Sequence, residues 1–276
     1  MRSAWYVVRE KNNEKPTMKF IKAILLVACI SGLSPVLCAR AEEAKPVFST
    51  VEEKDKFAKN ISSAIEKAWK AWQKEVRVDN VYVDGSRGVL IAGDWREPVI
   101  TLSSIMNEFD VKGVSQDHID CARAVAGTVE NGMRLWQRGY SHNNIPFPQG
   151  ASCVYTLPPT YNIPVTVASG TSAGDAAMTE ESLYNYMLYR VPNSDENVLS
   201  VLHGAASAIS ECFLVWKRSC LVSDMVAKGG VAPQPSPMGQ GPGLVKGAKG
   251  NGGRLTGAYF DGERMYERMR EYFSKT

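Results

Sequence analysis

The sequence contains few of the residues from which common catalytic and metal centres are built. Three histidines occur among 276 residues, and they are dispersed at His118, His142 and His203. There is no Cys-x-x-Cys pair, and His118 and Cys121, one helical turn apart, are too few ligands for a zinc site. The glycine-rich stretch 229–257 has no Gly-Lys-Ser or Gly-Lys-Thr at phosphate-loop spacing. The sequence therefore predicts no metal, no cofactor and no histidine in the setting of a Ser-His-Asp triad.

The chain also lacks a sustained excess of positive charge once its beginning is set apart. Of 32 Lys and Arg residues, seven lie in residues 1–41, together with two of the 29 acidic residues. The remainder has 25 basic and 27 acidic residues and no dense basic run. Nucleic acid is therefore not expected as a partner.

Residues 1–41 have the organisation of a leader that directs export. A basic start at Met18–Lys22 precedes a mostly apolar run, 23–37, and the small-x-small sequence Ala39-Arg40-Ala41. This order is typical of a signal peptide cleaved before Glu42, with translation starting at Met18 rather than Met1. We therefore expect an exported chain, periplasmic or secreted. The alternatives are a retained membrane anchor and a lipid attached at Cys29, either of which would bring the chain to a membrane.

Four cysteines follow the leader: Cys121, Cys153, Cys212 and Cys220. An even number in an exported chain is compatible with disulfides. Cys121 and Cys212 fall on apolar helix faces, so they are either small core residues or a buried bond between neighbouring helices. Cys153 and Cys220 lie in less regular segments and form the pair with fewer constraints.

One amphipathic helix pattern occurs three times and ends each time in tryptophan. The segments 57–72, 121–136 and 201–216 align without a gap, with apolar residues on one face. Four residues before each tryptophan stands a small residue, which is Ala68, Gly132 or Cys212. Small residues at matched positions allow close approach of two backbones, so we interpret the three segments as diverged copies that pack together. Gly132 is then expected where its helix touches another helix.

The similarity continues beyond each helix. Seven to nine residues after the tryptophan there is a polar turn followed by an apolar residue, and a second helical stretch follows later. We predict an α+β fold of three degenerate helix–strand–strand–helix units, packed around the three Trp-ended helices. The approximate units are 55–112, 118–190 and 198–273, all within a single domain, 42–276.

One short segment has a catalytic pattern. Pro164–Val167 reads as a strand, Gly170-Thr-Ser172-Ala-Gly174 follows, and a helix is predicted next. Strand, Gly-x-Ser-x-Gly and helix is the order of a nucleophile elbow, in which the turn exposes the serine hydroxyl. The amino-acid sequence of this motif resembles that of patatin-like phospholipases. The resemblance implies Ser172 as nucleophile, Asp261 of Asp261-Gly-Glu as its partner, and Asp84-Gly-Ser-Arg-Gly88 as the oxyanion loop.

These patterns leave three functions open. The leading hypothesis is a non-enzymatic structural or interaction protein of the cell envelope or secreted fraction, with an unidentified protein partner and an open oligomeric state. The second is a patatin-like lipid acyl hydrolase using Ser172 and Asp261, although turn chemistry also explains both glycine-containing patches. The third is a small-ligand-binding protein that uses Tyr184, Tyr186 and Tyr189, unless these tyrosines belong to the core.

Overall fold

The computed structural model describes residues 47–84, 86–91, 95–96, 99–147, 160–191, 194–228 and 248–275. Its helices are α1 (Val51–Glu75), α2 (Leu102–Glu108), α3 (Gln116–Gly139), α4 (Glu180–Arg190), α5 (Glu196–Ser219) and α6 (Gly262–Phe273). Its strands are β1 (Arg77–Val78), β2 (Val81–Asp84), β3 (Arg87–Leu90), β4 (Trp95–Arg96), β5 (Tyr140–Pro146), β6 (Thr160–Tyr161), β7 (Val165–Thr166), β8 (Thr171–Ser172), β9 (Cys220–Ser223), β10 (Val226–Lys228), β11 (Ala248–Asn251) and β12 (Gly253–Gly257). The predicted leader, with Cys29 and the cleavage site, lies outside the described residues.

Short polar side chains start all six described helices. The capping residues, each accepting a hydrogen bond from a backbone N–H in the first turn, are Thr50, Thr101, Ser115, Thr179, Asp195 and Asp261. Each cap satisfies an N–H that has no partner within the helix and stabilises the helix by about 1 kcal/mol. The first residues of the helices are therefore determined locally, by side chains that can be read from the sequence.

The helices form a closed ring in which long and short helices alternate. The short helix α2 packs between α1 and α3, α4 packs between α3 and α5, and α6 packs between α5 and α1. Residues 46–276 make up one compact unit. The last helix thus returns to the first, which joins the two ends of the described chain.

The strands form two antiparallel sheets, which confirms the predicted α+β class. The five-stranded sheet has the order β4-β1-β12-β9-β7, and the seven-stranded sheet has the order β6-β10-β11-β2-β3-β5-β8. After α1, β1 pairs with β4 and β2 pairs with β3; after α5, β9 pairs with β12 and β10 pairs with β11. Both segments therefore contain four strands where the sequence predicts two. After α3, the start of β5 pairs with β8.

The centre of the core is an aromatic cluster at the C-terminal ends of the long helices. Trp72, Trp136 and Trp216 are each at most 2% exposed. The ring centroid of Trp216 lies 5.8 Å from that of Trp72, 5.5 Å from that of Trp136 and 5.1 Å from that of Trp69. These edge and tilted contacts bury large apolar surfaces and are favourable for aromatic pairs. Trp216 therefore connects α5 to both other long helices.

Among the described helices, α5 has the length and apolar composition of a membrane-spanning segment. It packs against α4 and α6, and its residues Val201, Ile209 and Phe213 belong to the buried core. A core helix with neighbours on both sides has the same composition as a span. The packing therefore accounts for the apolar character of α5.

Three of the cysteines that follow the leader lie in the described part of the chain. Cys121, Cys212 and Cys220 are buried free thiols, and burial raises the pKa of each thiol to about 12. Such thiols stay protonated and unreactive at neutral pH. The bond that the sequence left open between Cys121 and Cys212 is therefore not formed, and Cys220 is not in a disulfide; Cys153, the partner that the sequence leaves for Cys220, lies outside the described residues.

Candidate functional site

Ser172 is the last residue of the two-residue strand β8, directly before a turn at residues 173–174. Strand β8 pairs with β5, so that Ser172 is opposite Tyr140. The Ser172 hydroxyl donates to the carbonyl oxygen of Trp136 at 2.7 Å and accepts from the backbone N–H of Gly174 at 3.0 Å. A nucleophile needs a base to receive its proton, and here a backbone carbonyl at the end of α3 occupies that place. Ser172 thus joins β8 to the end of α3.

Asp261, the partner implied by the resemblance, is an exposed helix cap. Its Oδ1 accepts the backbone N–H of Arg264 at 3.0 Å at the start of α6. No hydrogen bond joins Asp261 to Ser172 among the described contacts. In the upstream patch, Asp84 and Arg87 are paired across the β2–β3 hairpin, and Gly85 between them lies outside the described residues. The structure does not bring the three patches of the resemblance together through hydrogen bonds.

A buried Ser–His pair occurs elsewhere, at Ser169 and His142. His142 is 3% exposed, and its Nε2 lies 2.9 Å from the Ser169 hydroxyl oxygen. The Nδ1 of His142 accepts the backbone N–H of Asn144 at 3.2 Å, so the proton of the neutral ring is on Nε2 and points to Ser169. The Ser169 hydroxyl donates to the carbonyl of Thr166 at 2.6 Å. His142 therefore cannot take a proton from Ser169 in this arrangement, and the pair is structural.

A carboxylate, an imidazole and a phenol form a chain of hydrogen bonds between three helices. Glu180 of α4 lies 2.9 Å from Nε2 of His203 on α5, and the Tyr272 hydroxyl of α6 lies 2.7 Å from Nδ1. Because a carboxylate only accepts, Nε2 donates to Glu180, and in the neutral ring Nδ1 then accepts the hydroxyl of Tyr272. The second oxygen of Glu180 accepts the hydroxyl of Ser207 at 2.9 Å. These bonds fix the orientation of the imidazole.

Aromatic packing holds this group of side chains in place at the surface. The rings of Tyr184 and His203 are stacked, with centroids 4.5 Å apart and planes 24° apart, and the Tyr272 centroid is 5.1 Å from that of His203. Burial raises the pKa of Tyr272, and Tyr184 and Glu180 raise it further, so the phenol stays protonated at neutral pH. The three rings therefore form a preorganised wall with a hydroxyl at its edge.

This wall borders a cavity of about 370 Å³, which we call the His203 cleft. Its polar and aromatic lining consists mainly of Lys54, Tyr184, Glu196, Asn197, His203 and Tyr272. The cleft draws on α1, α4, α5 and α6, so it forms only when the ring of helices closes. Small-ligand clefts have volumes of about 300–1,000 Å³ and a few fixed polar groups. The His203 cleft fits that description.

The sequence indicated only part of this cleft. It gave His203 no place in a catalytic triad, and it grouped Tyr184 with Tyr186 and Tyr189. Tyr184 lines the cleft, whereas Tyr186 is 40% and Tyr189 is 87% exposed. A polar aromatic residue beside the core face of a long helix was the available signal for His203, but Glu180 and Tyr272 gave none.

Comparisons with known protein families, with curated proteins and with solved structures find no match for this chain.

Proposed function

We propose that this chain is an exported, non-enzymatic interaction protein built from three degenerate units. The strand pairing supports the repeat. In the first and third units a long helix is followed by four strands, of which the outer two pair with each other and the inner two pair with each other. A capped short helix then closes each unit. The middle unit keeps the long helix, the outer strand pair of β5 and β8, and the short helix α4.

Positions counted from the tryptophans support the same alignment. The residue four positions later is fully buried in every unit, as Val76, Tyr140 and Cys220, and it caps the long helix. The residue nine positions later is also fully buried, as Val81, Ile145 and Met225. Three residues of different type with the same burial and the same place in the unit are typical of diverged copies.

The backbone at the polar turns supports the pairing of the first and third units. Asn80 and Asp224 each lie eight residues after the tryptophan, and both have φ of 57°. Only a few residue types adopt this left-handed conformation readily, Asn and Asp among them. In the middle unit the equivalent residue, Asn144, continues in β5.

The local roles of the catalytic candidates support a non-enzymatic function. The hydroxyl of Ser172 holds β8 against the end of α3, and the carboxylate of Asp261 caps α6. Each side chain that the patatin-like resemblance assigns to catalysis therefore has a structural task. The contact of Ser172 with the Trp136 carbonyl is the observation that carries this proposal. It directs the hydroxyl hydrogen to a carbonyl oxygen, which cannot act as a base.

A fluorophosphonate probe tests this proposal directly. We expect no labelling of the purified chain, with the Ser172→Ala variant indistinguishable from it. Labelling that disappears in Ser172→Ala would overturn the proposal in favour of a serine acyl hydrolase. Denatured chain and an unrelated serine hydrolase serve as negative and positive controls for the probe.

Export is tested separately by N-terminal sequencing of material recovered outside the cytoplasm. We expect the chain to start at Glu42, after Ala39-Arg40-Ala41. A start at a lipid-modified Cys29 would instead assign a membrane-attached lipoprotein, and an intact leader would assign an anchored chain.

A small-ligand-binding protein is the second candidate function, and the His203 cleft favours it. The cleft has a wall of stacked rings and an imidazole with both nitrogens hydrogen-bonded. These contacts restrict the side chains more than an ordinary protein surface requires. Fixed polar groups around a cavity are characteristic of binding sites. Saturable binding of a small molecule, lost on Tyr272→Phe, tests this candidate.

A further inference from the structure

We propose that the His203 cleft binds a small zwitterionic ligand, an amino acid or a short peptide with a free ammonium and a free carboxylate. This inference rests on the proposal that the cleft is a binding surface, and it assigns the class of ligand. Two opposite charges on different helices of the cleft and the fixed aromatic wall indicate a ligand of this class.

The two charges come from the helices that flank α6. Lys54 is on α1 and Glu196 is in the first turn of α5, and both line the cleft. Neither forms an ion pair with any described residue. The nearby carboxylate of Glu180 does not line the cleft and already binds His203 and Ser207. Lys54 and Glu196 are therefore available for a ligand that has both signs of charge.

The position of the cation is partly fixed. The ammonium of Lys54 lies 6.0 Å from the centroid of the Phe273 ring on α6, which is within the range of a cation–π contact. Lys54 is half-buried and Glu196 is exposed. A carboxylate that reaches Lys54 would also lie beside the helix that carries Tyr272, whereas an ammonium would be drawn to Glu196.

The aromatic wall of the same cleft suits the neutral part of such a ligand. Tyr184 stacks on His203, and Tyr272 is held by its hydrogen bond to Nδ1, so the aromatic surface does not have to be ordered on binding. Asn197 adds an amide, which can both donate to and accept from a peptide group. A cavity of about 370 Å³ is at the lower end of the volumes of small-ligand sites, which favours a single residue or a dipeptide.

Four probes distinguish the zwitterion from its parts: alanine, alanyl-alanine, N-acetyl-alanyl-alanine and alanyl-alanine amide. We expect calorimetric titration of the purified chain to show saturable binding of alanine or alanyl-alanine. We expect at least tenfold weaker binding of the acetylated and amidated dipeptides. Comparison of alanine with alanyl-alanine shows whether the zwitterionic ligand is an amino acid or a peptide. Equal binding of the blocked peptides, or no saturable binding of any probe, overturns the assignment.

Charge variants identify which cleft residue binds the carboxylate of the ligand and which binds its ammonium. Lys54→Met should remove the preference for the free over the amidated dipeptide, and Glu196→Gln should remove the preference for the free over the acetylated dipeptide. Lys59→Met and Glu181→Gln are matched controls on the same or a neighbouring helix; both residues are exposed and neither lines the cleft. Loss of binding in the controls, or unchanged preferences in the cleft variants, contradicts the proposal. If no probe binds and the fluorophosphonate test is also negative, the ligand assignment is wrong, but the proposed non-enzymatic function is not contradicted.

Discussion

The indole N–H of Trp216 donates to the side-chain oxygen of Gln73, 2.9 Å away in the buried core. The amide nitrogen of Gln73 in turn donates to the carbonyl of Ala258 at 3.1 Å. One glutamine of α1 thus satisfies the tryptophan of α5 and the chain that leaves β12. Gln137 follows Trp136 as Gln73 follows Trp72, but its side-chain oxygen is buried without a partner in the described residues.

This difference predicts that the same substitution destabilises the chain at Gln73 and has little effect at Gln137. Gln73→Met leaves the Trp216 N–H and the Ala258 carbonyl without partners, and each buried unsatisfied group costs about 1–3 kcal/mol. Gln137→Met removes an oxygen that has no partner, so its effect on the free energy of unfolding should be within about 0.5 kcal/mol of zero. Urea unfolding of both variants provides the measurement. Equal destabilisation by the two would contradict this account of Gln73.

The buried imidazole of His142 predicts a stability that falls in mild acid. Burial lowers the pKa of His142 in the folded chain, so the unfolded chain binds a proton first as the pH decreases below about 6.5. The contribution of His142 is therefore fully present above that pH and is lost as the pH falls towards the folded-state pKa, by up to about 1.4 kcal/mol per pH unit. Protonation of Nδ1 would also break the hydrogen bond from Asn144.

Thermal unfolding at pH 7.5 and pH 5.5 measures this effect. The wild-type chain should melt at a lower temperature at pH 5.5. The gap in melting temperature between pH 7.5 and pH 5.5 should narrow in His142→Leu, even though that variant is less stable at both pH values. Part of the gap should remain, because burial also lowers the pKa of His118. A gap that is unchanged in His142→Leu would show that His142 is not the titrating group.

The parts of the fold that could be predicted are those determined by local residues. The periodicity of apolar residues located the three long helices, and short polar caps such as Ser115 and Asp195 mark where two of them begin. The break between β1 and β2 at Asn80 was expected as a polar turn. By contrast, β7 and β8 have two residues each, too few for any periodicity, and their partners decide where they form.

The same reasoning explains why the site was only partly predicted. The Gly-x-Ser-x-Gly pattern predicted an exposed Ser172, but pairing of β8 with β5 places the serine in a strand against Trp136. The partners of His203 are 23 and 69 residues away in the chain. Only the closed packing of α4, α5 and α6 brings them together, and a pattern within one helix contains no information about that packing.

The ion pair between Lys217 and Asp175 predicts a stability effect that depends on burial. The two charged groups are 2.6 Å apart, and the side chain of Lys217 is 12% exposed while that of Asp175 is 40% exposed. Asp175→Asn leaves a poorly hydrated ammonium without its carboxylate, at a cost of about 1–3 kcal/mol. The control is Asp120→Asn, whose partner Arg123 is 54% exposed and whose loss should cost about 0.5 kcal/mol or less. Chemical denaturation that finds both variants equally stable would contradict the structural role of the pair.

Gly132 allows close approach between α3 and the segment that follows β8. A Cβ at this position would lie 2.5 Å from the Met178 sulfur, 3.3 Å from the Ala177 carbonyl oxygen and 3.7 Å from Leu183 on α4. The sequence predicted a contact with another helix here, but the nearest atoms belong to the 3-10 turn Asp175–Met178, and Leu183 of α4 lies further away.

Two substitutions at Gly132 separate packing from helix propensity. Gly132→Ala gains about 1 kcal/mol from helix propensity, and displacement of the flexible Met178 side chain offsets it, so the net change should be within about 1 kcal/mol of zero. Gly132→Leu must also displace the turn backbone and should lower the free energy of unfolding by about 1–3 kcal/mol or more. Arg123→Leu, at an exposed position of the same helix, is the control and should have little effect. If thermal melts place Gly132→Leu no lower than Gly132→Ala, a small residue is not needed for this contact, because the turn would then accommodate three more carbon atoms than alanine brings without cost.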